Sequence, residues 1–188
     1  MIRTRVGYTG GTTRSPSYYD LGDHCEAIQI DYDPIRVSFD QLLEIFWQSH
    51  NPGQRPWSPQ YRAVFFFHND EQKRLTYASK ERLAARLSGT IQTAIEPVSQ
   101  FYRAEAYHQK FHLRRHIGLM EAFKELYPGD DDAIVDATAA ARLNGYLGGY
   151  GSPSTLLVEL DSLDLPEVGR QKLLEIGRRL ERSTGLYC

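Results

Sequence analysis

Apolar and polar residues alternate over residues 26–32, with Ile28, Ile30 and Tyr32 on one face, and this period of two predicts a β-strand. Arg3 to Tyr8 reads as an earlier strand entering a tight turn at Thr9-Gly10-Gly11, and Asp33-Pro34 turns the chain after the second strand. The period then changes. Phe39, Leu42, Leu43 and Phe46 fall at i, i+3, i+4 and i+7, one apolar stripe of a helix. Ser38 and Gln41 form a capping box at its start, Val37 and Leu42 suit the hydrophobic staple across that cap, and Asn51-Pro52-Gly53 ends it. Pro56 and Pro59 make residues 54–60 a loop. Ala63 to Phe67 is an apolar run short enough for a buried strand. Asn69 or Asp70 caps a second helix that runs to about Ser88, with Gly89 as its stop. Residues 91–98 form another strand, closed by Pro97. Residues 104–127 are helical in tendency and end at Pro128-Gly129.

The texture changes after residue 129. Ala133 to Ala141 predicts a short helix. It leads into residues 145–151, where four glycines in seven positions predict an irregular, tightly folded segment. Leu156 to Leu160 reads as a strand, Pro166 to about Arg182 as a charged amphipathic helix, and Thr184 to Cys188 as a mobile end. Strand, strand, helix, strand, helix, strand and then helices is the order of an α+β (α/β layer) fold, with helices packed on a mixed sheet.

Composition narrows the classes. The 188 residues are 41% hydrophobic and 24% charged, ordinary for a globular protein. The formal net charge of −2 leaves no global field to recruit nucleic acid or an anionic membrane. No run of about 18 apolar residues is present, and the first residues show no apolar leader. Two cysteines, Cys25 and Cys188, do not make a disulfide framework, so a reducing, cytoplasmic setting is expected. His108, His112 and His116 are four apart and would share one helical face with Glu105 nearby; a solvated basic face is the plainer reading than a metal site. Residues 145–151 lack the Gly-Lys-Ser/Thr of a phosphate loop.

Four ordered blocks carry a family resemblance. They are Gly7-Tyr8-Thr9-Gly10-Gly11 with Ser15-Pro16-Ser17-Tyr18; His24-Cys25-Glu26-Ala27-Ile28-Gln29-Ile30 with Tyr32-Asp33-Pro34; Phe46-Trp47, His50-Asn51-Pro52 and Gln60-Tyr61-Arg62-Ala63; and Glu105-Ala106-Tyr107-His108-Gln109-Lys110. In order and spacing they resemble the type A peptide methionine sulfoxide reductases. The resemblance covers about residues 2–116 as a reductase-like domain, and residues 117–188 resemble a C-terminal extension packed on it. It implies a ferredoxin-like α+β core and reduction of methionine (S)-sulfoxide in oxidative damage repair. It also implies thioredoxin as external reductant and no bound cofactor.

The chemistry it implies is a thiolate attack on the sulfoxide sulfur, giving a sulfenic acid that a second thiol resolves to a disulfide. The departing oxygen needs a proton, hence a neutral carboxylic acid as general acid. Residue by residue, that acid matches Glu26, and the oxygen-binding tyrosines match Tyr18 and Tyr61. The plainer alternatives are an exposed carboxylate at a strand start and two packed amphipathic rings.

The departures are as informative. The family nucleophile lies in a Gly-Cys-Phe-Trp-Gly motif at a helix start, where the helix terminus lowers thiol pKa. That motif occurs nowhere in this sequence, so the resemblance implies a core lacking its first strand, first helix, nucleophile and aromatic methyl clamp. Pro56, Trp57 and Ser58 stand where the family has a pocket aspartate; Trp57 is either an aromatic wall or an ordinary loop ring. Cys25 neighbours Glu26, and adjacent strand residues face opposite ways, so Cys25 is expected to be a small core residue pointing away from the pocket. Cys188 suits a resolving thiol or no role. Two expectations follow: a reductase whose nucleophile this stretch does not carry, or a non-catalytic sulfoxide-binding relative.

Overall fold

The computed structural model describes residues 2–163 and 165–184. The chain forms two compact units, one of Val6–Glu105 and one of Met1–Arg5 with Ala106–Cys188. The division thus falls at Glu105/Ala106, earlier than the sequence boundary at residue 116.

Five strands supply the sheet framework: β1 (Arg3–Thr9), β2 (Cys25–Asp31), β3 (Val64–Phe67), β4 (Ala94–Pro97) and β5 (Tyr102–Arg103). They form a three-stranded sheet ordered β2-β1-β5 and a two-stranded sheet of β3 and β4. β1 and β5 are antiparallel, with Gly7 opposite Arg103 and Tyr8 opposite Tyr102. Gly7 is required there, because a Cβ would lie 2.2 Å from the Tyr102 carbonyl oxygen. β5 is only two residues long, too short for any periodicity to mark it. β3 and β4 are parallel, with Val64 opposite Ala94, and the intervening helix α2 (Asp70–Ala84) makes the crossover that parallel pairing demands.

Helix α1 (Phe39–Gln48) begins as its cap predicts. The Gln41 amide donates to Ser38 Oγ at 3.2 Å, and the Ser38 amide donates to Gln41 Oε1 at 2.8 Å. Its apolar stripe divides in two. Leu43 and Trp47 are buried, and the Trp47 indole N–H donates to Ser79 Oγ of α2 at 2.9 Å. Phe39 and Phe46 turn to Phe65, edge to face, with ring centroids 5.8 and 5.2 Å away. Asn69 caps α2, which stops at Ala84 rather than near Ser88. Residues 84–90 are all exposed, so no packing holds further turns.

The loop between β1 and β2 is tied by two side chains. Asp23 accepts from the amides and hydroxyls of Thr12 and Thr13 at 2.8–3.0 Å, which holds its carboxyl well below the usual range. Buried His24 accepts from the Gly11 amide through Nδ1, so its proton sits on Nε2 and is donated to the Thr13 carbonyl at 2.8 Å.

The other unit is helical: α3 (Phe111–Arg114), α4 (Ile117–Leu126), α5 (Asp131–Asp136), α6 (Thr138–Leu147), α7 (Pro153–Glu159) and α8 (Glu167–Thr184). Leu113, Leu119, Phe123, Leu143, Leu156 and Leu173 anchor one continuous core. Three sequence expectations are corrected here. First, 104–127 is not one helix but a 3-10 turn at Ala106–His108, then α3 and α4. Lys110, with φ at 51°, breaks it; its buried ammonium donates to the Thr4 hydroxyl and carbonyl, two bonds that offset the left-handed backbone. Second, α6 continues through Gly145 to Leu147. Burial of Leu143, and the Asn144 carboxamide that accepts from the His112 and Leu113 amides, outweigh glycine's weak helix propensity. Irregular chain begins only at Gly148, and Gly149 and Gly151 have positive φ. Third, Leu156–Leu160 is not a strand. Ser152 caps α7, Pro153 fits its first turn, and Leu156 and Leu160 bury one turn apart. A five-residue apolar run fits either period, and only the core it meets decides. Within this unit Arg5 also makes a bidentate pair with Asp136, both bonds 2.7 Å.

Among the described residues no helix is long and apolar enough to cross a membrane.

Candidate functional site

The sheet-bearing unit carries a cleft of about 480 Å³. Its lining includes residues 25–30 of β2, Phe39, Leu42 and Phe46 of α1, and Tyr61 to Phe66. The alternation of β2 puts Glu26, Ile28 and Ile30 on the open face, all exposed, while Cys25 is 1% exposed.

Glu26 does not stand alone. Its Oε1 accepts a hydrogen bond from Gln60 Nε2 at 2.9 Å. Gln60 belongs to a single 3-10 turn, Pro59–Tyr61, closed by the Tyr61 amide donating to the Ser58 carbonyl at 3.2 Å. The same turn sets Tyr61 into the cleft wall. The Tyr61 ring stacks on Trp57 with centroids 4.6 Å apart and planes inclined by 22°. An acid and a phenol therefore line one largely apolar cleft, with a carboxamide holding the acid.

The structure treats the other sequence candidates differently. Tyr18 is not among the residues lining this cleft. Its ring meets Tyr19 edge to face at 5.4 Å, and its amide donates to Glu105 Oε1, whose second oxygen accepts from the Tyr8 hydroxyl. Cys188 lies outside the described residues. Cys25 packs inward and donates its S–H to the Thr9 carbonyl at 3.4 Å, although part of it still contributes to the cleft wall. Burial pushes its thiol pKa up; the nearby Arg62 guanidinium opposes this without overcoming it. Arg62 itself is engaged by Glu96 through both guanidinium nitrogens, which raises its own pKa. Cys25 is thus a protonated thiol at neutral pH and unsuited to attack. His108 ends the 3-10 turn, His112 lies in α3 and His116 precedes α4, and among the described residues no group of three or more His, Cys, Asp or Glu could hold a metal.

Sequence reasoning assigned Gln60 no role, although it stands in the Gln60-Tyr61-Arg62-Ala63 block. Only the turn reveals that it reaches back to Glu26.

Fold and site together define a class: an α+β protein with an acid and a phenol lining a largely apolar cleft. A family model described as peptide methionine sulfoxide reductase matches residues 1–129. A second, described as the helical domain of selenoprotein methionine sulfoxide reductase A, matches residues 130–173. A peptide methionine sulfoxide reductase of Drosophila melanogaster is 38% identical over 190 residues, covering 100% of this chain and 75% of that protein. Peptide methionine sulfoxide reductase A5 of Oryza sativa subsp. japonica is 40% identical over 161 residues, covering 82% of this chain and 62% of its own length. The reduced form of Mxr1 from Saccharomyces cerevisiae is similar in fold, with a TM-score of 0.56 and 28% identity over 61% of this chain and 71% of that one. The chain belongs to the peptide methionine sulfoxide reductase family, a family of oxidoreductases, and spans only part of each of these relatives.

Proposed function

We propose that these residues carry the sulfoxide-binding and proton-donating part of a peptide-methionine (S)-S-oxide reductase that acts in repair of oxidised proteins. The observation that carries this reading is that Glu26, held by Gln60, and Tyr61 line one cleft. In this reading the methionine side chain lies along the apolar lining, and Tyr61 donates its hydroxyl hydrogen to the sulfoxide oxygen. A thiolate attacks the sulfur, the S–O bond breaks as the oxygen passes to the attacking sulfur, and methionine is released. Glu26 supplies the one proton this takes, as general acid. The thiol becomes a sulfenic acid, which a second thiol converts to a disulfide and thioredoxin reduces. Cys25 is not the attacking thiol, because its proton is held by burial. The nucleophile belongs to a Gly-Cys-Phe-Trp-Gly segment that the 188 residues do not contain. Cys188 is the candidate resolving thiol. The setting is cytoplasmic.

The test compares two proteins in a thioredoxin-coupled assay with a methionine (S)-sulfoxide peptide. One is the 188-residue chain. The other is the product of the reading frame extended upstream by about thirty codons. The chain alone gives no turnover. The extended protein does, and in it Glu26→Gln lowers kcat by about 10²–10⁴-fold. A stop codon or unrelated sequence upstream, or turnover by the short chain that depends on Cys25, overturns the reading. A second reading, a sulfoxide-binding relative without catalysis, is favoured by the same protonated state of Cys25, and binding without turnover in every form would establish it.

A further inference from the structure

Trp57 is a large apolar side chain left 77% exposed, just before the turn at Pro59–Tyr61. One face of its indole is covered by Tyr61, 4.6 Å away. Tyr61 lines the cleft, and its neighbour Gln60 holds Glu26. Trp57 is not itself among the lining residues, and its stack on Tyr61 places the indole next to that lining. The turn that carries Tyr61 is closed by a backbone bond between Ser58 and Tyr61, and Pro56 fixes the backbone just before Trp57. A volume of about 480 Å³ is within the range of sites that enclose a ligand much larger than one methionine side chain.

From this we infer that Trp57 is a specificity-determining residue, which binds the peptide flanking a methionine sulfoxide and makes the site prefer peptidyl over free methionine sulfoxide. The inference deepens the reading of Glu26 and Tyr61 given above and rests on it. The chemistry follows from the indole. Its open face offers a flat, weakly polar surface to amide planes and apolar flanking side chains, at little cost in side-chain entropy because only two torsions are fixed. Free methionine sulfoxide has nothing to lay on that surface. It also carries an ammonium and a carboxylate that would lose hydration against the apolar rim.

The experiment uses the 188-residue chain, whose two tryptophans report separately. Trp47 is buried and donates to Ser79, so a ligand at the rim perturbs Trp57. Two probes are titrated by fluorescence and calorimetry: a blocked pentapeptide with a central methionine (S)-sulfoxide flanked by leucines, and free methionine (S)-sulfoxide. The peptide shifts Trp57 emission to the blue. Trp57→Ala weakens the peptide about ten-fold and leaves the free amino acid unchanged, while Trp57→Phe retains most of the peptide affinity. Glu26→Gln weakens both probes together. Peptide binding at full strength in Trp57→Ala, or equal loss for both probes, overturns the role of Trp57 alone. Failure of the unaltered chain to bind either probe overturns the sulfoxide reading and the inference with it.

Discussion

The two units solve burial differently. Among the described residues, the helical unit holds fifteen of the buried apolar side chains and the sheet-bearing unit six. The helical core is one continuous cluster, whereas the largest cluster centred on the sheet is Tyr8, Leu21 and Ala104. Ile28, on the open face of β2, is 59% exposed. The candidate groups Glu26, Gln60 and Tyr61 lie in the unit that leaves its apolar surface incomplete. A filled core has no room for a ligand, while a half-covered sheet face offers an apolar wall beside polar groups at its rim.

The difference can be broken by substitution. The largest effect is expected for Phe123→Ala, which opens a cavity in the filled core and should destabilise the chain by about 3–5 kcal/mol in equilibrium unfolding. A loss below 1 kcal/mol would mean that the helical core collapses around the gap and is no better packed than the sheet. Next comes Asn144→Ala, which removes the acceptor for two amides at the start of α3 and should cost about 1–2 kcal/mol. Its effect belongs to the helical unit, so hydrogen exchange should rise in α3 and α6 and stay unchanged in β1 and β2.

A smaller effect sharpens the comparison from the sheet side. The folded pKa of Cys25 lies above the ordinary thiol value of 9.0, so folding favours the protonated form. That contribution is fully present below pH 9.0 and is lost as pH rises through the folded value. In a Cys188→Ser background, where Cys25 is the remaining thiol, a thiol reagent should label the folded chain slowly at pH 7. Further substitution of Cys25→Ala should flatten the alkaline slope of stability. Fast labelling at neutral pH would show that the sheet face opens to solvent and would restore Cys25 as a candidate nucleophile. The smallest effect is expected for Ile28→Ala, within about 0.5 kcal/mol, because the side chain is already mostly in water. A larger, concentration-dependent loss would show that copies of the chain cover that face for one another. Sedimentation would then detect association that Ile28→Lys abolishes.

Much of the sheet-bearing unit was legible along the chain because its signals are local. The Ser38–Gln41 capping box, the Asn69 cap and the alternation over β2 each act within a few residues. The same alternation separated exposed Glu26 from buried Cys25, as observed, although both line the cleft. Legibility failed where long-range contacts decide. Lys110 breaks a helix because Thr4 is near to receive its ammonium, and Leu156–Leu160 is helical because a helical core lies beneath it. Tyr18 and Tyr61 were equal candidates by motif, yet only Tyr61 lines the cleft that Glu26 enters. Gln60 had no signal of its own, because a 3-10 turn rather than a periodic element aims it.

The sequence by itself determined the family, the α+β class and the lack of a Gly-Cys-Phe-Trp-Gly motif, since these rest on residue identity and short-range spacing. Only the tertiary structure decided which groups meet. It held the Cys25 proton in place by burying the sulfur, bound Gln60 to Glu26 across 34 positions of chain, and left one face of Trp57 open beside them. Desolvation and convergence are properties of packed space, and no local pattern in the chain encodes them.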